Sequence, residues 1–170
     1  MGLWMIQSVR HEQKDAYSFA QLCEMAAECR EFPSRVDVNA PVFLAPDSMT
    51  EAIQDYCRKT GQAVPVTAGE ISAVIYQSLA DCYGKTVKQL QQNTGRIYDS
   101  IYIIGGGSNA AYLNQLTADA AGMDVYAGPG EATAVGNIMA QMIHNGELEN
   151  LAKARKCVAD SFRISHYKPK

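Results

Sequence analysis

Gly105-Gly106-Gly107-Ser108-Asn109 follows directly on the run Ile101, Tyr102, Ile103 and Ile104. Successive glycines leave a stretch of backbone that another group can approach without meeting a side chain. At the carboxyl end of a buried parallel strand, that is where open α/β sheets bind ligands. A helix beginning just beyond would turn free amides and the positive end of its dipole toward the same place. The spacing is not that of the dinucleotide fingerprint, whose third glycine would fall on Ala110, and no Gly-Lys-Ser/Thr follows as in a phosphate loop. On these residues alone, a nucleotide or cofactor turn and a plain tight strand-to-helix connection are equally supported.

Other chemistry finds little footing. The five cysteines, Cys23, Cys29, Cys57, Cys82 and Cys157, are scattered without a CxxC pair, which reads as buried reduced thiols rather than a metal site or disulfide framework. His11, His144 and His166 make no HxxxH or HExxH spacing, so no metal site is expected.

The elements that must hold the glycine run can be read from periodicity. Leu3, Trp4, Ile6 and Val9 form an apolar helical stripe that starts at once, without a cap. A cut inside a longer chain would begin this way. Capping boxes at Ser18/Gln21, Ser48/Glu51 and Thr67/Glu70 predict helices over 18–28, from 48 to Gly61, and from 67 onward. In the third of these, Ile71, Val74, Ile75 and Leu79 share one face. Residues 33–46 carry three prolines and no period, hence extended loop, with a short strand piece at 36–38.

The second half alternates. A strand over 100–104, a turn over 105–108 and a helix over 109–121 are followed by a strand over 125–127 and a helix over 131–144. In the first of those helices Leu113, Leu116 and Ala120 are expected inward, with Gly122 at the carboxyl end. In the second, Val135, Ile138, Met139, Met142 and Ile143 are apolar, and Glu131 and Thr133 suit its cap. A last helix over 148–159 and an irregular tail over 161–170 complete the reading. This order implies an α/β sheet with parallel neighbours. So few strands make a poor sheet, and the opening strands are expected upstream of Met1.

With 170 residues, 47% of them hydrophobic and 19% charged, the chain has room for one domain. A net charge of -3 without a basic cluster speaks against a nucleic-acid partner. No apolar run is long enough to span a bilayer, and the start lacks the marks of a signal peptide. A cytoplasmic protein is the expectation.

The run from Ile103 through the glycines to Asn114-Gln115-Leu116-Thr117-Ala118-Asp119 resembles the second strand-turn-helix of the FGGY carbohydrate kinases. Gly128-Pro129-Gly130-Glu131-Ala132-Thr133-Ala134-Val135-Gly136-Asn137-Ile138 is similar to the next helix of that family, in the wording of its rhamnulose-phosphorylating branch. Met1-Gly2-Leu3-Trp4-Met5-Ile6-Gln7 resembles the helix that follows the branch's sugar-contacting segment. The resemblance implies part of an actin-like, ribonuclease H-like ATPase domain, 1–170 being a single partial domain that lacks its opening strands.

It also implies ATP or ADP as ligand. Gly106 matches the glycine lying against the nucleotide, and Gly105 and Gly107 shape the turn. Gln7 matches a glutamine that reaches ATP, although alone it would read as a solvated helix residue. Asn109 falls near an adenine-contacting asparagine, one place out of register. The catalytic aspartate, Mg2+ site, phosphate loops and L-rhamnulose pocket belong to an amino-terminal half, so the chain alone is expected to be inactive. Xylulose, fuculose, gluconate and glycerol kinases share the turn. A non-catalytic nucleotide-binding or regulatory module, and a truncated product self-associating through an exposed sheet edge, are the other readings.

Overall fold

A computed structural model describes residues 2–170, so Met1, first of the run compared above, lies outside the described residues. Among these are seven α-helices and three strands. Helix α1 (Trp4–Glu12) buries Met5, Ile6 and Val9. Helix α2 (Phe19–Glu28) opens on the expected box: the Ser18 hydroxyl accepts the Gln21 amide at 3.2 Å and the Gln21 side chain accepts the Ser18 amide at 2.8 Å. Helix α3 (Met49–Lys59) begins differently. Ser48 still accepts the Glu51 amide, but the carboxylate of Glu12, from the end of α1, takes the amides of Met49 and Thr50. The cap of α3 is therefore borrowed in part from α1.

Helix α4 (Ala68–Thr94) opens on the Thr67/Glu70 box and runs to Gly95, which takes the left-handed conformation at φ +64°. Its first half is not amphipathic as expected. From Ile71 to Ala80 every residue is buried, including Ser72, Gln77 and Ser78. The physical reason is position: α4 packs against α1, α2 and α5, so it has no solvent face there. Two of its polar residues anchor the surrounding chain. Gln77 Nε2 donates to the Arg30 carbonyl at 3.0 Å, and the Val36 amide donates to Ser78 Oγ at 3.0 Å. That second bond explains why 36–38 is not the strand piece expected: Val36 and Val38 are buried, but the segment is anchored to a helix side chain instead of a neighbouring strand.

Strands β1 (Ser100–Ile103) and β2 (Asp124–Ala127) pair in parallel, Ile101 opposite Val125, with α5 (Ala111–Ala121) connecting them. Gly122 ends α5 in the left-handed conformation, as expected. Strand β3 (Ser165–Tyr167) then pairs antiparallel to β2, giving the order β1-β2-β3. The tail expected to be irregular over 161–170 thus contributes the third strand. Its three residues show no apolar pattern of their own; they pair with β2 through the backbone, and His166 packs on Tyr126.

Helices α6 (Ala132–His144) and α7 (Leu151–Ser161) pack against each other. Of the apolar residues of α6 only Val135 is buried. Val135, Met139 and Ile143 border a groove of about 930 Å³ between α6, α7 and the outward side chains Tyr102 and Ile104, whereas Ile138 and Met142 do not line it. Among the described residues no helix is long and apolar enough to cross a membrane, and all five cysteines are free thiols.

Candidate nucleotide-binding turn

The chain leaves β1 through Ile104 and enters a 3₁₀ turn, Gly105–Asn109, before α5 begins at Ala111. The helix thus starts two residues later than its periodicity suggested. Gly105 sits at φ +73°, where a side chain would be strained. Gly106 is exposed, and a Cβ built on it would meet nothing within 4 Å. Gly107 turns the other way: a Cβ there would lie 3.4 Å from Leu3 Cδ1 and 3.5 Å from Ile103 Cγ2. One glycine bends the chain, the second bares its backbone, and the third packs against the opening helix.

Four bonds fix this shape. The Gly105 amide donates to the Pro129 carbonyl at 3.0 Å, tying the turn to the loop after β2. Ser108 Oγ donates to the Gly105 carbonyl at 2.7 Å, and the Ala110 amide donates to the Gly107 carbonyl at 3.1 Å. From below, Asn114 Nδ2 donates to the Ser108 carbonyl at 3.0 Å. Asn114 is fully buried and its Oδ1 has no hydrogen-bond partner.

The residues singled out from the sequence are partly gathered here. Gly105, Gly106, Gly107 and Asn109 are all within the turn. The Asn109 amide side chain faces Gly130, whose Cβ position is 3.7 Å from Asn109 Nδ2. Gln7 is exposed on α1. Its helix reaches the turn through Leu3, one helical turn earlier on the same face. Glu131 occupies the position before α6 but makes no side-chain cap bond. Asp119 is structural, accepting Gln115 Nε2 at 2.9 Å and the Lys170 amide at 3.0 Å.

Asn114 and Pro129 escaped the sequence reading. The signal for Asn114 was a polar residue on the inward side of an apolar helix. That side is Leu113, Asn114, Thr117 and Ala118, while Leu116 and Ala120, expected to define it, are only partly buried at its margin. Nothing in the sequence marks Pro129 O as the acceptor for Gly105.

Beneath the turn, α5 has no side-chain cap, but its Tyr112 amide donates to Cys23 Sγ at 3.4 Å. Burial pushes the Cys23 thiol up, against the Tyr112 and Leu113 amides, which pull it down. It therefore serves here as a neutral acceptor. Tyr112 is likewise pushed up by burial, opposed by its bond to Gln77.

Gly106 presents backbone to open space, which leaves room for a flat ring. Among the described residues no group of three or more His, Cys, Asp or Glu side chains is placed to hold a metal ion.

The sequence profile of the C-terminal domain of the FGGY family of carbohydrate kinases matches residues 1–144. The chain is 48% identical over 169 residues to a rhamnulokinase of Ligilactobacillus salivarius, covering 99% of this chain and 35% of that protein. It is 45% identical over 169 residues to the rhamnulokinase of Lactiplantibacillus plantarum, with the same two shares covered. With the rhamnulokinase of Bacillus subtilis it shares 44% identity over 170 residues, 100% of this chain and 35% of the relative. The chain therefore spans about a third of the length of the curated relatives it matches.

Proposed function

The chain belongs to the FGGY family of carbohydrate kinases, through the family's C-terminal domain, and on that premise we propose that it holds the adenine nucleotide of a kinase acting on L-rhamnulose. The observation that carries this reading is the bare backbone of Gly106, set between a bent Gly105 and a packed Gly107. ATP supplies the γ-phosphoryl group that such a kinase transfers to a sugar hydroxyl. The chain's own residues orient that donor. Gly106 offers a surface for the ring, Asn109 belongs to the same turn, Gln7 would reach in from α1, and Pro129 O and Asn114 hold the turn in the shape that binds.

The remaining parts of the chemistry belong to the upstream portion of a full-length kinase: the Mg2+ site, the positioning of the sugar hydroxyl and the sugar pocket itself. The unpaired edge of β1 would take a strand from that portion rather than from a second copy. Positioning and charge stabilisation account for most of phosphoryl-transfer catalysis, so a chain that holds only the adenine end should turn nothing over.

The test is calorimetric titration with ADP, followed by a phosphorylation assay with L-rhamnulose, L-fuculose and D-xylulose. The chain should bind ADP and phosphorylate none of them alone. Supplied together with the upstream two thirds of a rhamnulokinase, it should act on L-rhamnulose in preference to the others. Failure to bind ADP in both settings would refute the nucleotide reading, and preference for another sugar would refute the choice of rhamnulose.

A further inference from the structure

The carboxyl-terminal strand and the glycine turn meet at Gly128. This residue leaves β2 at φ +127°, its amide donates to the Ile103 carbonyl at 2.9 Å, and the next carbonyl, Pro129 O, receives the Gly105 amide at 3.0 Å. Its remaining side is covered by the chain entering β3. A Cβ built on Gly128 would lie 2.8 Å from the Arg163 carbonyl oxygen and 3.4 Å from Ile164 Cδ1. Glycine is therefore required there twice, by conformation and by the approach of another backbone.

Strand β3 is anchored by contacts remote from the turn. His166 stacks on Tyr126 with ring centroids 4.5 Å apart, and Tyr102 continues the stack at 5.3 Å from Tyr126. His166 Nε2 lies 2.8 Å from Asp124 Oδ2. Gln115 Nε2 donates to the Lys168 carbonyl at 2.8 Å, and the Lys170 amide donates to Asp119 Oδ1 at 3.0 Å. Both α7 and β3 lie outside the residues that match the family profile, which end at 144.

We propose that β3 is a positioning element for the nucleotide turn, acting through Gly128 and the Pro129 carbonyl; this rests on the nucleotide reading of that turn. The segment 128–130 is confined between the Ile103 carbonyl and the backbone at 163–164. If β3 lifts, Pro129 O is free to swing out of line with the Gly105 amide. The Ser108 hydroxyl still holds the Gly105 carbonyl at 2.7 Å, but the Gly105 amide loses its acceptor, and the nearest atom to its Cβ position is the Gly130 carbonyl oxygen at 3.8 Å. The loosening is local, because the buried core around α4 is built from α1, α2 and α5 and not from β3.

The experiment measures amide hydrogen exchange in the full 170-residue chain and in two variants. Gly128→Ala attacks the relay itself, and His166→Ala combined with Gln115→Ala loosens β3 without altering the turn. In both, the Gly105 amide should exchange about tenfold faster while the Leu79 amide of α4 stays unchanged. If Gly128→Ala does not fold, the double variant carries the test. An unchanged Gly105 rate in the folded double variant overturns the coupling.

ADP titration of the same proteins reads the consequence, an expected weakening of about tenfold. Faster Gly105 exchange with unaltered ADP affinity overturns the functional role of β3. Absence of ADP binding by the unaltered chain, both alone and with the upstream two thirds of a rhamnulokinase, refutes the nucleotide reading instead, and with it this role, whatever the exchange rates are.

Discussion

Gly84 of α4 lies against the backbone of Ala120 in α5, so close that a Cβ on the glycine would stand 2.6 Å from the Ala120 carbonyl oxygen. In an open helix, replacing glycine with alanine stabilises by about 0.5–1 kcal/mol. Here the added methyl meets main chain, which cannot rotate away, so the two helices must separate. Gly84→Ala is expected to destabilise by about 1–3 kcal/mol, as overpacked cores do. Gly136 in α6 provides the contrast, since a Cβ there meets nothing within 4 Å. Gly136→Ala should be neutral or stabilising. Urea unfolding of both variants checks the opposite signs.

The carboxylate of Glu12 supports a second helix's start from a distance. It accepts the Met49 and Thr50 amides and the Ser48 hydroxyl at the beginning of α3. Loss of a cap costs about 0.5–2 kcal/mol, so Glu12→Ala should lower stability by roughly that amount. The effect should survive high salt better than that of a surface ion pair, because the contacts are hydrogen bonds to backbone. If Glu12→Ala melts as the parent chain does, the capping role is wrong.

These two relationships also mark where sequence reading stops. Ser18/Gln21 and Thr67/Glu70 were legible because both partners of each box lie three residues apart. The position of the glycine turn was legible too, since β-branched residues run straight into it. Glu12 was not, because its partners are more than thirty residues away in sequence and only the packing of α1 on α3 brings them together. The same holds for β3, whose pairing depends on β2, and for Asn114, whose burial depends on how α5 is rotated on the core. Within the candidate site, the glycines could be read one by one. The bonds that hold them, from Pro129 and Asn114, could not.

Glu70 predicts a pH dependence. Its carboxylate accepts the Thr67 and Val66 amides, each at 2.8 Å, and these bonds hold it below the usual glutamate range. A depressed folded-state pKa means that its stabilisation is fully present above the unfolded value, about 4.3, and is lost as pH falls through the folded value. Glu70→Gln keeps an acceptor for the capping box but removes the titration. Thermal melts from pH 6 to pH 3 should therefore fall less steeply for Glu70→Gln than for the parent. Parallel curves would show that Glu70 contributes nothing to acid sensitivity.

Gly106 separates folding from binding more cleanly than any other position in the turn. It is exposed, it does not lie in the left-handed region, and a Cβ on it meets nothing within 4 Å. Gly106→Val should therefore fold with little change in melting temperature. If an adenine ring rests on this backbone, the valine side chain occupies the ring's place, and ADP affinity should fall by more than about tenfold. Gly105→Val, at φ +73°, would lose stability as well and could not distinguish the two effects. Calorimetric titration of Gly106→Val beside the parent, with a melt of each, decides the matter: unchanged affinity in a folded variant places the nucleotide elsewhere.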